Sequence, residues 1–371
     1  MHPMVREANY SDCEAVGALK TRNGLAVQWS TDRWIGLWRE NPAMQAESQF
    51  PMGWVLEQAG KIVGYLGNIP LYYWFNGKRV LAASARGFVV DSEHRGHSLR
   101  LAAAFFSQKT ADLLLNTSAN VPAGHVFQLC KAEKIPQADY DKALFWVVNA
   151  NGFVRSVLRK RGQGVAIAVI GGAVLAPAVQ LETVLRRRGH WGGASEYQLS
   201  VLEPSAIGEE FDEFWKKILG RRPGCLMAER SSSILRWHFG HRAAGLRQAK
   251  FVCAWRTGKL MGYAVLTREN SQDIGLKRSR VSDLLAENDD PGLIDCLLRA
   301  AFQQAKSDGS HILEVIGFPG RVRTSFVKGH AYVRHLPSWQ FWYKANSREL
   351  SERLMSESAW YGSSYDGDAS L

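Results

Sequence analysis

The chain repeats itself, and the spacing of that repeat limits the folds open to it. Residues 55–66 read VLEQAGKIVGYL and residues 252–264 read VCAWRTGKLMGYA. Each is a strand, a tight Gly-Lys turn and a second strand, the chemistry of a β-hairpin. Gly64-Tyr65 and Gly262-Tyr263 stand 198 positions apart; upstream, Trp38 and Trp237 stand 199 apart in helix-like runs with polar starts (31–42 and 230–241). Downstream, the strand-like runs 87–90 and 281–285 precede helical patterns over 99–113 and 293–306. These lead to the strand-like LLLNTS (113–118) and HILEVIGF (311–318). Four elements in one order at nearly one offset mark a duplicated unit rather than a chance pair of hairpins.

Each half reads strand, two helices, hairpin, strand, helix, strand, helix, strand, which predicts a mixed α/β sheet with helices on its faces. A chain of 371 residues exceeds what one core organises, so two domains are the default. The expected division is 1–171, an interdomain segment 172–197 interrupted by Arg186-Arg187-Arg188 and HWGGASE (190–196), and 198–348. A polar tail, 349–371, closes the chain and reads as disordered at YGSSYDGDASL (361–371). The uncharged run GVAIAVIGGAVLAPAV (164–179) contains Gly-Gly and Pro177 and falls short of the ~20 residues of a spanning helix. It reads first as a buried strand entering the interdomain segment. Its flanks, Arg159-Lys160-Arg161 and Arg186-Arg187-Arg188, leave peripheral contact with an anionic bilayer as the alternative.

Charge and cysteine usage narrow the setting. The net charge of +11 suits a polyanionic ligand, but the basic clusters are too short for a nucleic-acid footprint. Five scattered cysteines without a CxxC pair argue against a disulfide framework or a structural zinc. With no apolar stretch near the N-terminus, a cytoplasmic location is expected. His94/His97 and His238/His241 lack a nearby third ligand, so no metal is expected.

The segment Val89-Val90-Asp91-Ser92-Glu93-His94-Arg95-Gly96-His97-Ser98-Leu99-Arg100 ends a strand, turns and starts a helix. The N–H groups of such a loop and first helical turn form an anion nest. It resembles the strand–loop–helix signature (Q/R)-x-x-G-x-(G/A) of the GNAT superfamily of acyl-CoA acyltransferases. Arg95 stands at its first position, and Ser98 and Arg100 replace small residues. Asn120-Val121-Pro122-Ala123-Gly124-His125-Val126-Phe127 resembles the family's N-x-x-A-x-x-x-Y run, with Phe127 in place of the proton-donating Tyr. The resemblance covers roughly residues 3–160 and reaches the C-terminal half in topology only.

The resemblance implies two tandem GNAT-like folds and acyl transfer from acetyl-CoA or another acyl-CoA to an amine or amino-sugar. Coenzyme contacts are then expected from Phe88, Val89, Val90, Arg95, Gly96, His97, Ser98, Leu99, Arg100, Asn120 and Phe127. Glu93, Asp139 and Tyr140 are candidates for the acid and base. At the equivalent loop of the second half, Glu287, Asp289 and Asp290 would repel a pyrophosphate, so that half is expected to bind no coenzyme. Two other readings are a Fem-type aminoacyl-tRNA-dependent transferase, which shares the tandem fold, and a non-catalytic coenzyme-binding relative. The oligomeric state is not legible.

Overall fold

The computed structural model describes residues 2–25, 31–47, 49–187, 196–240 and 249–371. The strands are β1 (Met4–Glu7), β2 (Gly53–Gln58), β3 (Lys61–Phe75), β4 (Lys78–Val90), β5 (Leu113–Ala119), β6 (Glu133–Lys134), β7 (Lys142–Val147), β8 (Gln198–Leu202), β9 (Met227–Ala228), β10 (Ala249–Arg256), β11 (Lys259–Arg268), β12 (Arg278–Ala286), β13 (Ile312–Val315), β14 (Tyr332–His335) and β15 (Gln340–Ala345). The helices are α1 (Cys13–Arg22), α2 (Thr31–Arg39), α3 (Pro42–Ala46), α4 (Ser98–Ser107), α5 (Val121–Leu129), α6 (Ala150–Lys160), α7 (Val165–Arg187), α8 (Glu209–Arg221), α9 (Ser232–Gly240), α10 (Pro291–Ser307), α11 (Gly320–Lys328) and α12 (Arg348–Leu354).

Two mixed sheets result. One runs β1-β2-β3-β4-β5-β15-β6, with β9 added to β3; the other runs β14-β7-β13-β12-β11-β10-β8. Each has a single parallel pair at the same place in the repeat, β4 with β5 and β12 with β13. The duplication extends to backbone angles. The hairpin turns Ala59-Gly60 and Thr257-Gly258 have φ of 49° and 76°, and 50° and 74°, the left-handed pair that a two-residue hairpin turn requires. The repeated Gly-Tyr has a packing reason. A Cβ on Gly64 would meet Leu101 of α4 at 3.0 Å, and one on Gly262 would meet Leu297 of α10 at 3.1 Å, so a helix lies directly on the strand in both copies. The tyrosines point to the opposite face and are buried. Lys20 of α1 lies over the Tyr65 ring, and Phe211 and Phe214 of α8 pack on Tyr263.

The chain forms two compact units, and their limits differ from the expected ones. Unit 1 holds residues 1–138, 222–241 and 337–371; unit 2 holds 139–221 and 242–336. The reason is an exchange of strands. β7, in the first half of the chain, pairs with β13 and β14 of unit 2, whereas β15, near the end, pairs with β5 and β6 of unit 1. Helix α9, the repeat partner of α2, also belongs to unit 1, where Trp237 Nε1 donates to the Gly36 carbonyl.

Three further expectations are corrected. The run 164–179 is helix, not strand: it lacks two-residue alternation and forms most of α7, so the expected 171/172 boundary falls inside a helix. Residues 188–195, the rest of the expected boundary, lie outside the described residues. The first-half helix ends at Ser107 rather than near 113, because Gln108 turns extended and sends its amide into the core against Asn68. The segment 361–371 is buried in unit 1 rather than disordered. Its polar composition is matched by partners: Gln137 bonds Gly362 through both its carbonyl and its N–H at 2.8 Å, and Tyr365 OH donates to the Glu229 carbonyl at 2.7 Å.

The unit 1 core lies between its sheet and α4. It gathers Trp54, Leu56, Leu66, Phe105, Phe106, Phe127 and Trp342, all buried.

Candidate acyl-donor site

The site begins where two neighbouring strands part. The parallel ladder of β4 and β5 joins Ala82, Ala83 and Ser84 to Leu113, Leu114 and Leu115 and ends there. On its other side β4 stays with β3 to Val90, but the register slips: Tyr65 faces Val89 and Gly67 faces Arg86. The extra residue is a β-bulge, made possible by Gly87 at φ 67°. The bulge turns the Gly87–Val90 backbone out of the ladder at the point where β5 has diverged, which leaves a wedge bordered by peptide groups.

Polar side chains gather at the branch point. Asn116 Nδ2 donates to the Ala85 carbonyl at 2.9 Å, tying the strands together where they separate. Its Oδ1 and the Ser84 hydroxyl are buried with no hydrogen-bond partner among the described residues. Two such groups at one junction mark a place where an incoming polar group can bind.

The loop beyond β4 is a 3-10 turn, Ser92–His97, running into α4. Neither helical start has a side-chain cap, and the first turn of α4 carries no acidic residue. The one carboxylate at the strand end is drawn away. Asp91 is held by Arg22 Nη2 at 2.7 Å and by Asn23 Nδ2 at 2.7 Å, and the Arg22 bond keeps its carboxyl below the usual range. Arg95 supplies positive charge, with His94 and His97 beside it on the same turn. A Cβ on Gly96 would meet nothing within 4 Å, so packing within the protein does not require glycine there. A helix start without a side-chain cap, next to basic side chains, suits a phosphate.

The other anticipated coenzyme residues fall as follows. Phe88, Val89 and Val90 lie on the bulged end of β4, with Val89 and Val90 buried. Ser98 and the exposed Leu99 open α4, and the Arg100 guanidinium bonds the Pro3 carbonyl. Asn120 caps α5, accepting from the Ala123 N–H at 2.9 Å. Phe127 is fully buried. It stacks on Phe88 (centroids 5.7 Å) and meets Phe106 edge-on (5.2 Å), so the ring in the tyrosine position is part of the core.

The candidate acid and base residues are divided between the two units. Glu93 is exposed on the 3-10 turn beside the coenzyme candidates. Asp139 and Tyr140 belong to unit 2, where Lys142 holds the Asp139 carboxyl low at 2.7 Å and Tyr140 is buried.

The structure adds a carboxylate that sequence reasoning passed over. Asp368 sits against β5 at the wedge. Its Oδ1 accepts from the Thr117 N–H at 2.9 Å, its Oδ2 accepts from Ser118 Oγ at 2.6 Å, and its carbonyl accepts from Arg86 Nη1 on β4 at 3.1 Å. The segment thus bridges the parted strands on the face opposite α4. Nearby, buried His238 lies 2.6 Å from Ser370 Oγ, and its ring meets that of Tyr365 at a tilt, 4.5 Å between centres. The only sequence signal was a pair of tyrosines among the polar residues of 361–371.

In unit 2 the same strand–loop–helix is occupied by its own acids. Glu287 is pushed up by burial but brought below its usual value by Lys217 (2.7 Å) and Arg221 (2.6 Å). Asp289 pairs with Arg321 at 2.6 Å, and Asp290 caps α10 through the Leu293 N–H at 2.7 Å. The position at which unit 1 offers an uncapped helix start is filled here by protein carboxylates.

No protein-family model matches this chain, and no curated protein matches its sequence. Solved structures do. A GCN5-related N-acetyltransferase from Anabaena variabilis aligns over 93% of this chain and 73% of its own at TM-score 0.56 and 12% identity. Saccharomyces cerevisiae N-myristoyltransferase with bound myristoyl-CoA aligns over 93% and 79% at TM-score 0.54 and 12% identity. A probable N-acyltransferase from Enterococcus faecalis aligns over 93% and 72% at TM-score 0.55 and 10% identity. The arrangement of two mixed sheets with helices on their faces is thus that of the GNAT-fold N-acyltransferases, consistent with two tandem modules.

Proposed function

We propose that the protein is an acyl-CoA-dependent N-acyltransferase with one donor site, in unit 1. The observation that carries this reading is the wedge between β4 and β5, which opens onto an uncapped, acid-free helix start. The loop 92–98 would take the coenzyme phosphates, and the pantetheine arm would lie along the exposed peptide edge of Gly87–Val90. The unpartnered Asn116 Oδ1 and Ser84 hydroxyl offer polar partners at the branch. The Phe88, Phe106 and Phe127 rings fill the space behind the wedge, which favours a short acyl group such as acetyl.

The thioester supplies an activated acyl group. An acceptor amine attacks its carbonyl carbon, forming the C–N bond, and the C–S bond breaks with release of coenzyme thiolate. The developing oxyanion takes hydrogen bonds from the β4 backbone. Phe127 has no proton to give, so the thiolate leaves unassisted by that residue. The proton lost by the amine needs an acceptor. Asp368 is the carboxylate positioned for it, with Thr117 and Ser118 fixing its orientation. The acceptor is an amine; an amino-sugar is one candidate class.

Calorimetry with acetyl-CoA and longer acyl-CoAs tests the donor site, and release of free thiol against an amine panel tests transfer. Failure to bind any acyl-CoA ends this reading and leaves an aminoacyl-tRNA donor to be examined. Binding without thiol release supports a second reading, a non-catalytic coenzyme binder, which the missing hydroxyl at Phe127 favours. Asp368→Asn should keep donor affinity while lowering turnover and changing its pH profile; an unchanged profile removes Asp368 from the proton path.

A further inference from the structure

The longest helix of the protein has no role in the donor site. α7 spans 23 residues, about 34 Å at 1.5 Å per residue. No charged residue occurs from Gly162 to Leu181. Its most apolar window has a mean hydropathy of 1.8, yet only 11% of that window is buried. A core helix of this composition would be enclosed.

What α7 buries is a narrow stripe. Ala168, Gly172 and Thr183 are buried, with Gly171, Ala176 and Val179 half-buried between them. The glycines set the approach to α6. A Cβ on Gly171 would strike Leu158, and one on Gly172 would strike Arg155, both at 2.5 Å. Further along, the Arg186 guanidinium lies 4.5 Å from the centre of the Tyr332 ring. The helix is therefore fastened lengthwise to unit 2. Its outer surface carries Val165, Ile167, Ile170, Val174, Leu181 and Leu185, each more than half exposed, with Ile170 at 66% and Val174 at 68%.

Charge identifies what covers this face. Arg159, Lys160 and Arg161 lie at the tip of the α6–α7 hairpin, and Arg186 and Arg187 close the far end; Glu182, paired with Arg186 at 2.8 Å, is the one acid in α7. A second copy laid antiparallel on this face would bring basic end onto basic end. An anionic bilayer complements both ends and takes up the apolar surface between them. Because α7 is packed along its length, it would lie in the plane of the interface rather than cross it. From these observations we infer that α7 is an interfacial docking helix that holds unit 2 on an anionic lipid surface. The inference does not depend on the acyl-transfer reading.

The test is co-sedimentation of the full chain with phosphatidylcholine vesicles, with and without phosphatidylglycerol, at low and high salt. The protein should pellet with the anionic vesicles at low salt and be released by high salt. Ile170→Lys combined with Val174→Lys, both outward-facing, should weaken binding about tenfold or more while leaving thermal unfolding and acyl-CoA affinity unchanged. Lys160→Glu combined with Arg161→Glu should weaken it on anionic vesicles only. Absence of binding to anionic vesicles overturns the proposal. So does a dimer in solution that the Ile170/Val174 variant dissociates, which would make the face a protein interface. Retention on vesicles through high salt and alkaline washing overturns the in-plane mode.

Discussion

The two repeats fold the same strand, loop and helix and then use the helix start in opposite ways. In unit 1 the strand-end carboxylate, Asp91, is pulled aside by Arg22 and Asn23, and the turn ahead of α4 carries Glu93 with two histidines and an arginine. In unit 2 Asp290 caps α10, and Glu287 and Asp289 draw in Lys217, Arg221 and Arg321. The backbone scaffold is common to both. The side chains decide whether the positive end of the helix is offered to a ligand or neutralised within the protein.

The comparison can be broken most forcefully in unit 2. Glu314 is buried among Arg280 (2.8 Å), Arg278 (3.1 Å) and Arg334 (3.2 Å). Glu314→Ala strands buried cations and should cost about 3–5 kcal/mol in denaturant unfolding. The folded fraction should retain its acyl-CoA affinity; loss of affinity there would move the donor site out of unit 1 alone. Next in size, His97→Asp gives α4 the acidic N-cap that α10 has in Asp290. It should weaken acyl-CoA binding at least about tenfold, or ~1.4 kcal/mol, by calorimetry. Smaller still, Gly96→Ala should leave stability within about 0.5 kcal/mol, since the added methyl meets nothing, yet weaken donor binding several-fold. Gly292→Ala, in the first turn of α10, should leave donor binding as it was. Equal effects at the two glycines would erase the distinction between the loops.

The smallest effect concerns acid. The Asp91 carboxyl is depressed by Arg22, so its contribution is present above the unfolded value near ~3.9 and is lost as pH falls through the folded value. Asp91→Asn should flatten the acid limb of the stability curve below about pH 4. Its cost at neutral pH should be about 1 kcal/mol or less, as the pair is partly exposed.

The local chemistry of the repeat was legible in the chain. The hairpins were legible from their Gly-Lys turns, which the structure sets one residue earlier at Ala59-Gly60 and Thr257-Gly258, and the Gly-Tyr pairs marked the repeat but not the helix that packs on each glycine. The loop at Arg95-Gly96 could be placed by its strand and helix flanks. Pairing across long distances was not legible: nothing in KALFWV (142–147) or QFWYKA (340–345) says which sheet each joins, because both are short, mostly apolar runs that the interior of either sheet accepts. α7 was misread because apolar length was taken as burial, whereas its small residues cover only a stripe. Asp368 was missed because polar residues near a chain end usually lack partners, and here Thr117, Ser118 and Arg86 provide them.

The exchanged strands set the order of events during synthesis. β5 is finished early, but the strand that covers its outer edge, β15, is made more than two hundred residues later. Until then unit 1 presents an open edge, and its wedge lacks Asp368 as well. A nascent chain that has not yet reached β15 therefore carries an incomplete first sheet, and one that has not reached Asp368 lacks the proposed proton acceptor. Completion of the donor unit waits for a strand made long after β5 instead of following it directly.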